Sequence, residues 1–151
     1  MVKFNLEEEL KYFTPFTMYM EYILLNYNNF LKNHLKNKNI TTKEFLYLFN
    51  IFYNKNVSQK YLADLMYVSE ANVAKMLKKL ESKGLVERRR DKNNKSKNVL
   101  SLTKDGELTV FSLLKFSIEW ETKVSDMIDE EKLVDFKDRL YEISEKSVEI
   151  K

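Results

Sequence analysis

"GLVERRRDKNNKSKNVLSLT", residues 84–103, decides how this chain is read. Two apolar, β-prone runs, 85–90 and 99–102, flank a connection too polar and too charged for a core. The stretch therefore predicts a two-stranded hairpin. Its middle, Glu87 to Lys97, holds six Lys or Arg and two acids, while the whole chain carries a formal net charge of only +3. The chain has 22 lysines and four arginines, and three of those arginines stand together here as Arg88, Arg89 and Arg90.

Immediately upstream, "SEANVAKMLKKLESKG" spaces Val73, Met76, Leu77 and Leu80 as one apolar helical stripe. Ser69 suits the N-cap and Gly84 the C′ position. The opposite face presents Asn72, Lys75, Lys79 and, near its end, Lys83. Before it, "NKNVSQKYLADLMYVS" predicts a short helix capped by Ser58, with Leu62, Leu65 and Met66 facing inward. Two short helices joined by a tight turn form a helix-turn-helix, and a hairpin directly after the second helix is a wing. In that arrangement the second helix enters a major groove while the wing lies over the adjacent backbone and minor groove. Arginine suits the wing because its planar fork makes bidentate phosphate contacts and is favoured in narrow minor grooves. Arg88, Arg89 and Arg90 fall at the wing's base, and Lys92, Lys95 and Lys97 at its tip.

Further out, Thr41 and Glu44 make a Thr-x-x-Glu capping box. The helix it opens is apolar nearly all round from Phe45 to Phe52, which predicts the buried centre of the fold. A first helix is expected over about Thr17 to Leu35, starting near Pro15, with Met20, Ile23, Leu24, Tyr27, Phe30 and Leu31 at helical spacing. After the wing, Thr103 opens a helix with Leu108, Phe111, Leu114 and Ile118 on one side. Asp129 is expected to cap a last helix running through Leu133, Phe136, Leu140 and Ile143. The fold class is mainly α with a small β-hairpin wing, in one domain over 1–151.

Charge and composition narrow the function. Residues 56–104 carry twelve Lys or Arg and five acids, so the rest of the chain is net acidic. A basic middle between acidic ends fits a face built for a polyanion. Thirteen of the twenty aromatics lie in the first 53 residues and none lies between Val68 and Val110, which leaves the most basic stretch without a stacking platform for single strands. Duplex DNA is the better match. The absence of Cys removes thiol chemistry and Cys-type zinc sites. His34, the only histidine, reads as a surface or pocket-rim residue, so no metal is expected. There is no Cys/His pair, no HExxH and no Gly-rich phosphate loop, and an enzyme is not expected. The N-terminus lacks the plan of a signal peptide, and no apolar run is long enough to span a membrane. A cytoplasmic protein is expected.

"SQKYLADLMYVSEANVAKMLKKLESKGLVERRRD" followed by "VLSLTKDGEL" resembles the MarR family of winged helix-turn-helix transcriptional regulators. "LADL", "VS" and "KGLVERR" carry the likeness, and the "LT-x-x-G" helix start after the wing narrows it. It covers roughly Ile40 to Ile143. The resemblance implies a DNA-binding lobe over 40–104 and dimerisation helices over 1–39 and 105–151. It implies a homodimer on a pseudo-palindromic site near a promoter, in many members a repressor released by a small, often phenolic, effector. Carried over by position, Glu70, Ala71, Asn72 and Lys75 face base edges, and Ser58, Gln59, Ser69 and Lys79 lie near phosphates. Two positions depart from the family. Its turn usually holds Gly where this chain has Tyr67, and its wing tip usually carries arginine where this chain has Lys95 and Ser96.

Asn72 has the chemistry to pair bidentately with adenine. The terminal helices carry more apolar surface than a compact monomer needs, which predicts an obligate homodimer. An organic effector would bind beside the first two helices, whose aromatics suit aromatic ligands. The competing reading is a winged-helix module for protein–protein assembly. Such a module would present apolar or mixed patches, and the basic middle segment favours DNA.

Overall fold

The computed structural model describes residues 7–54, 57–90 and 98–150. Six α-helices and one hairpin follow in the order α1 (Phe16–Leu35), α2 (Thr42–Tyr53), α3 (Gln59–Leu65), α4 (Glu70–Ser82), β1 (Val86–Arg90), β2 (Asn98–Leu102), α5 (Lys104–Val124) and α6 (Glu130–Ser147). Two compact units divide the chain within α5, one ending at Phe116 and the other spanning Ser117–Lys151.

The first unit holds the hydrophobic core. Leu31 and Leu35 of α1, Tyr47 and Leu48 of α2, Leu62 of α3, Val73, Leu77 and Leu80 of α4, and Val110 and Leu113 of α5 are all buried. The Thr41–Glu44 capping box forms as read: the Thr41 hydroxyl accepts from the Glu44 N–H, and the Glu44 carboxylate accepts from the Thr41 N–H at 2.7 Å. The antiparallel ladder pairs Val86 with Leu102 and Arg88 with Leu100. Val57 adds a bridge on the far side of β2, where its carbonyl accepts from Leu100 N–H at 2.8 Å.

Three segments in this unit end on a left-handed residue: Asn39 at φ 52°, Tyr67 at φ 51° and Gly84 at φ 70°. Tyr67 and Gly84 close the helix-turn-helix elements in the same way. Val68 N–H reaches back to Ala63 O, and Leu85 N–H to Leu80 O, so each turn satisfies a carbonyl of the preceding helix.

The inward faces differ from the sequence reading in several places. In α1 only Leu31 and Leu35 are buried, while Met20, Ile23 and Leu24 stay exposed. In α3, Ala63 is buried and Leu65 is exposed. Within α2, Leu46 is exposed. α5 carries two apolar stripes, and the core takes the one containing Gly106, Val110 and Leu113. Of the stripe read from the sequence, Leu108, Phe111 and Ile118 are exposed and Leu114 packs partly buried against the core. The reason is Gly106. A Cβ there would stand 2.1 Å from Leu85 O, so only glycine lets the start of α5 approach the end of the recognition segment this closely.

The second unit comprises the last turns of α5 and α6. Lys137 pairs with Glu121 at 2.5 Å. No residue of α6 is buried, and Val134, Phe136, Leu140, Tyr141 and Ile143 are all exposed. Asp129 takes the N-cap position without a capping bond, because its carboxylate pairs with Lys132 instead. Among the described residues, no helix is long and apolar enough to cross a membrane.

Candidate nucleic-acid interface

Ser58 and Ser69 cap α3 and α4. The Ser58 hydroxyl accepts from Tyr61 N–H at 3.0 Å, and the Ser69 hydroxyl from Asn72 N–H at 3.3 Å. Gln59 donates its side-chain amide to Glu70 O at 3.1 Å, which ties the start of α3 to the start of α4. Ser69, Glu70, Ala71, Asn72 and Lys75 are exposed together on the first turns of α4. That face is open while Val73, Leu77 and Leu80 are buried behind it. A helix held this way offers its N-terminal turn, with hydroxyl, amide and ammonium groups, to a groove.

Lys79 belongs to a different arrangement. Its ammonium lies 3.2 Å from Glu44 Oε1, and Lys83 lies 2.8 Å from the same oxygen. Lys83 also donates to Asn39 O at 2.5 Å. The Glu44 side chain is fully buried. Burial alone would raise its pKa, but Lys83, the Thr41 N–H and hydroxyl, and Lys79 outweigh that and hold the carboxyl at about 2. Glu44 is thus an anion at neutral pH, set against the C-terminal end of α4. The sequence reading treated it only as half of a capping box and placed Lys83 on the open face. The signal available was a carboxylate at the start of an apolar helix together with a Lys pair four apart on α4.

The wing arginines are also partly committed. Arg88 Nε donates to Glu81 Oε1 at 2.7 Å, clamping β1 to the end of α4. Arg89 pairs with Glu87 on the same strand. Arg90 aligns with Asn98 in the ladder. Lys92, Lys95 and Lys97 lie outside the described residues.

Thr103 joins the wing's exit to α4. Its hydroxyl donates to Gly84 O at 2.6 Å and accepts from Gly106 N–H at 3.0 Å. This gives the "LT-x-x-G" spacing its physical sense: threonine bridges the end of one helix to the start of the next, and glycine permits the approach. His34 bonds Phe30 O at 2.9 Å and packs between Phe30 and Phe116, so it is a structural histidine in the first unit. A cleft of about 540 Å³ is lined by Lys38, Asn39, Ile40, Lys83, Leu85 and Thr109.

Comparison with known proteins agrees with this geometry. The MarR family model matches residues 40–96. The chain is 29% identical over 126 residues to the HTH-type transcriptional regulator BilQ of Clostridium symbiosum (strain WAL-14163), covering 83% of each protein. It is 33% identical over 90 residues to the uncharacterized HTH-type transcriptional regulator YybA of Bacillus subtilis (strain 168), where the match spans 60% of this chain and 59% of that protein. Among solved structures, a crystal structure of MarR superposes with a TM-score of 0.81 at 23% identity, covering 97% of both chains. The DNA complex of MepR from S. aureus superposes with a TM-score of 0.72 at 18% identity, covering 93% of this chain and 99% of that one.

Proposed function

We propose that the chain, which the MarR family model matches over residues 40–96, is a transcriptional regulator rather than an enzyme and binds duplex DNA sequence-specifically as a homodimer. The observation that carries this reading is the uncovered first turn of α4. Ser69, Glu70, Ala71, Asn72 and Lys75 face outward while the C-terminal end of the same helix is tied to Glu44 through Lys79 and Lys83. In this reading Asn72 pairs with a base edge, Lys75 serves the groove or its rim, and the hydroxyls of Ser58 and Ser69 meet phosphates. The wing adds affinity through its cations. MepR, which shares the fold, is described in complex with DNA.

The homodimer reading rests on the uncovered apolar surface of each unit taken separately. In the first unit Phe16, Ile23, Leu24 and Leu25 are at least half exposed or close to it, and in the second α6 buries nothing. A second copy covers such surface under two-fold symmetry, which matches a pseudo-palindromic site. The protein acts in the cytoplasm as a repressor that a small organic, phenolic effector releases. The cleft beside Lys83 supports that last element, because a ligand there would touch the lysine that anchors α4 to Glu44.

The test is selection from a random duplex library by the purified protein, followed by a mobility shift on the recovered sequence. Recovery of a two-fold symmetric motif supports the reading. Failure to retain any duplex at low salt overturns it in favour of a protein-assembly module.

A further inference from the structure

Tyr67 occupies the turn between α3 and α4 at φ 51°, a left-handed conformation that is strained for a bulky residue. Its side chain is 83% exposed, so no packing offsets that cost. Among the described residues, none bonds its hydroxyl or stacks on its ring. The backbone fixes the turn from both sides. Tyr67 N–H reaches Asp64 O, Val68 N–H reaches Ala63 O, and Gln59 holds the first residue of α4. Glycine would meet every one of these constraints without strain, as Gly84 does in the matching turn at the end of α4. A strained, exposed aromatic with nothing to hold inside the chain points to a contact outside it.

We propose that Tyr67 is a DNA-backbone contact, its hydroxyl donating to a phosphate oxygen and its ring resting against deoxyribose. This rests on the DNA-binding reading above. Tyr67 lies two residues ahead of the Ser69 cap, off the recognition helix itself. When the first turn of α4 occupies a major groove, the turn before it meets the wall of that groove, and the wall is sugar and phosphate. A phenol suits that wall: it is a neutral donor with an apolar body, so it adds affinity without adding charge.

The experiment compares wild type, Tyr67→Gly and Tyr67→Phe in thermal melts and in salt titrations on two duplexes, one recovered by selection and one random. Tyr67→Gly should raise Tm by a few degrees while weakening both duplexes by roughly tenfold, the sum of one lost contact per subunit. The log–log salt slope should not move, since no cation is removed. Tyr67→Phe should leave Tm unchanged and weaken both duplexes by a smaller factor. The proposal is overturned if Tyr67→Gly binds both duplexes as tightly as wild type, if its Tm falls, or if binding is lost on the selected duplex alone, which would mean a base contact. If folded wild type itself retains no duplex, the DNA reading fails and this contact fails with it.

Discussion

Glu44 Oε1 accepts the Lys83 ammonium at 2.8 Å, joining the first turn of α2 to the end of α4 across the core. Lys79, one helical turn earlier on α4, reaches the same oxygen at 3.2 Å. A fully buried carboxylate therefore anchors the C-terminal end of the helix whose N-terminal turn is uncovered. Removing one partner of a buried ion pair leaves the other uncompensated, which is the costly way to break it.

The first prediction concerns stability and pH. The folded pKa of Glu44, about 2, lies below its ordinary value of 4.5. Its contribution is therefore fully present above pH about 4.5 and is lost as pH falls towards about 2. The size is about 3 kcal/mol, taking 1.36 kcal/mol per pKa unit. Glu44→Gln should lower stability at neutral pH by about that amount and flatten the acid limb of the stability curve. Urea melts of both proteins across the acid range check this. An unchanged acid limb would contradict it.

A second prediction separates two lysines of one helix face. Lys75 has no ion-pair partner among the described residues, whereas Lys79 shares Glu44 with Lys83. Lys75→Ala should lower the log–log salt slope of a dimer by roughly two, at about 0.9 per phosphate. Lys79→Ala should lower it by clearly less, and Arg88→Ala should act chiefly on stability because Arg88 clamps Glu81. Equal slopes for Lys75→Ala and Lys79→Ala would show that DNA draws Lys79 away from Glu44.

A third sets the two glycines against each other. Gly84→Ala meets open space but must hold φ 70°, a strain of about 1 kcal/mol. Gly106→Ala places a methyl 2.1 Å from a backbone oxygen, which forces α5 and the wing apart and should cost at least about 2–3 kcal/mol. Chemical denaturation of both variants gives the order. Gly106→Ala proving the milder change would contradict the packing described for α5.

A fourth concerns assembly. Wild type should scatter light as a dimer at micromolar concentration, and Phe136→Glu, on the uncovered α6, should shift it towards monomer. A monomeric wild type would remove the two-fold symmetry from the proposal.

The helix-turn-helix and wing were legible because their signals are local. Ser58, Ser69 and Gly84 act within one turn of their own positions, and β1 begins within one residue of the expected place. The partnership of Glu44 with Lys79 and Lys83 was not legible, since it joins residues far apart in the chain. Which stripe of α5 the core takes was not legible, because both are apolar at helical spacing. What separates them is a single close approach, Gly106 against Leu85. Arg89 meets Glu87, an acid two residues away on its own strand, whereas the acid that Arg88 meets, Glu81, lies on α4, which strand periodicity does not show.

The central claim is that α4 reads sequence while the wing and flanking cations supply affinity. It is tested most directly by salt titrations of wild type and Asn72→Ala on a selected and a random duplex. The account predicts that Asn72→Ala costs roughly 1–3 kcal/mol per half-site on the selected duplex, little on the random one, and leaves the salt slope unchanged. Equal losses on both duplexes, or no loss on either, would contradict it.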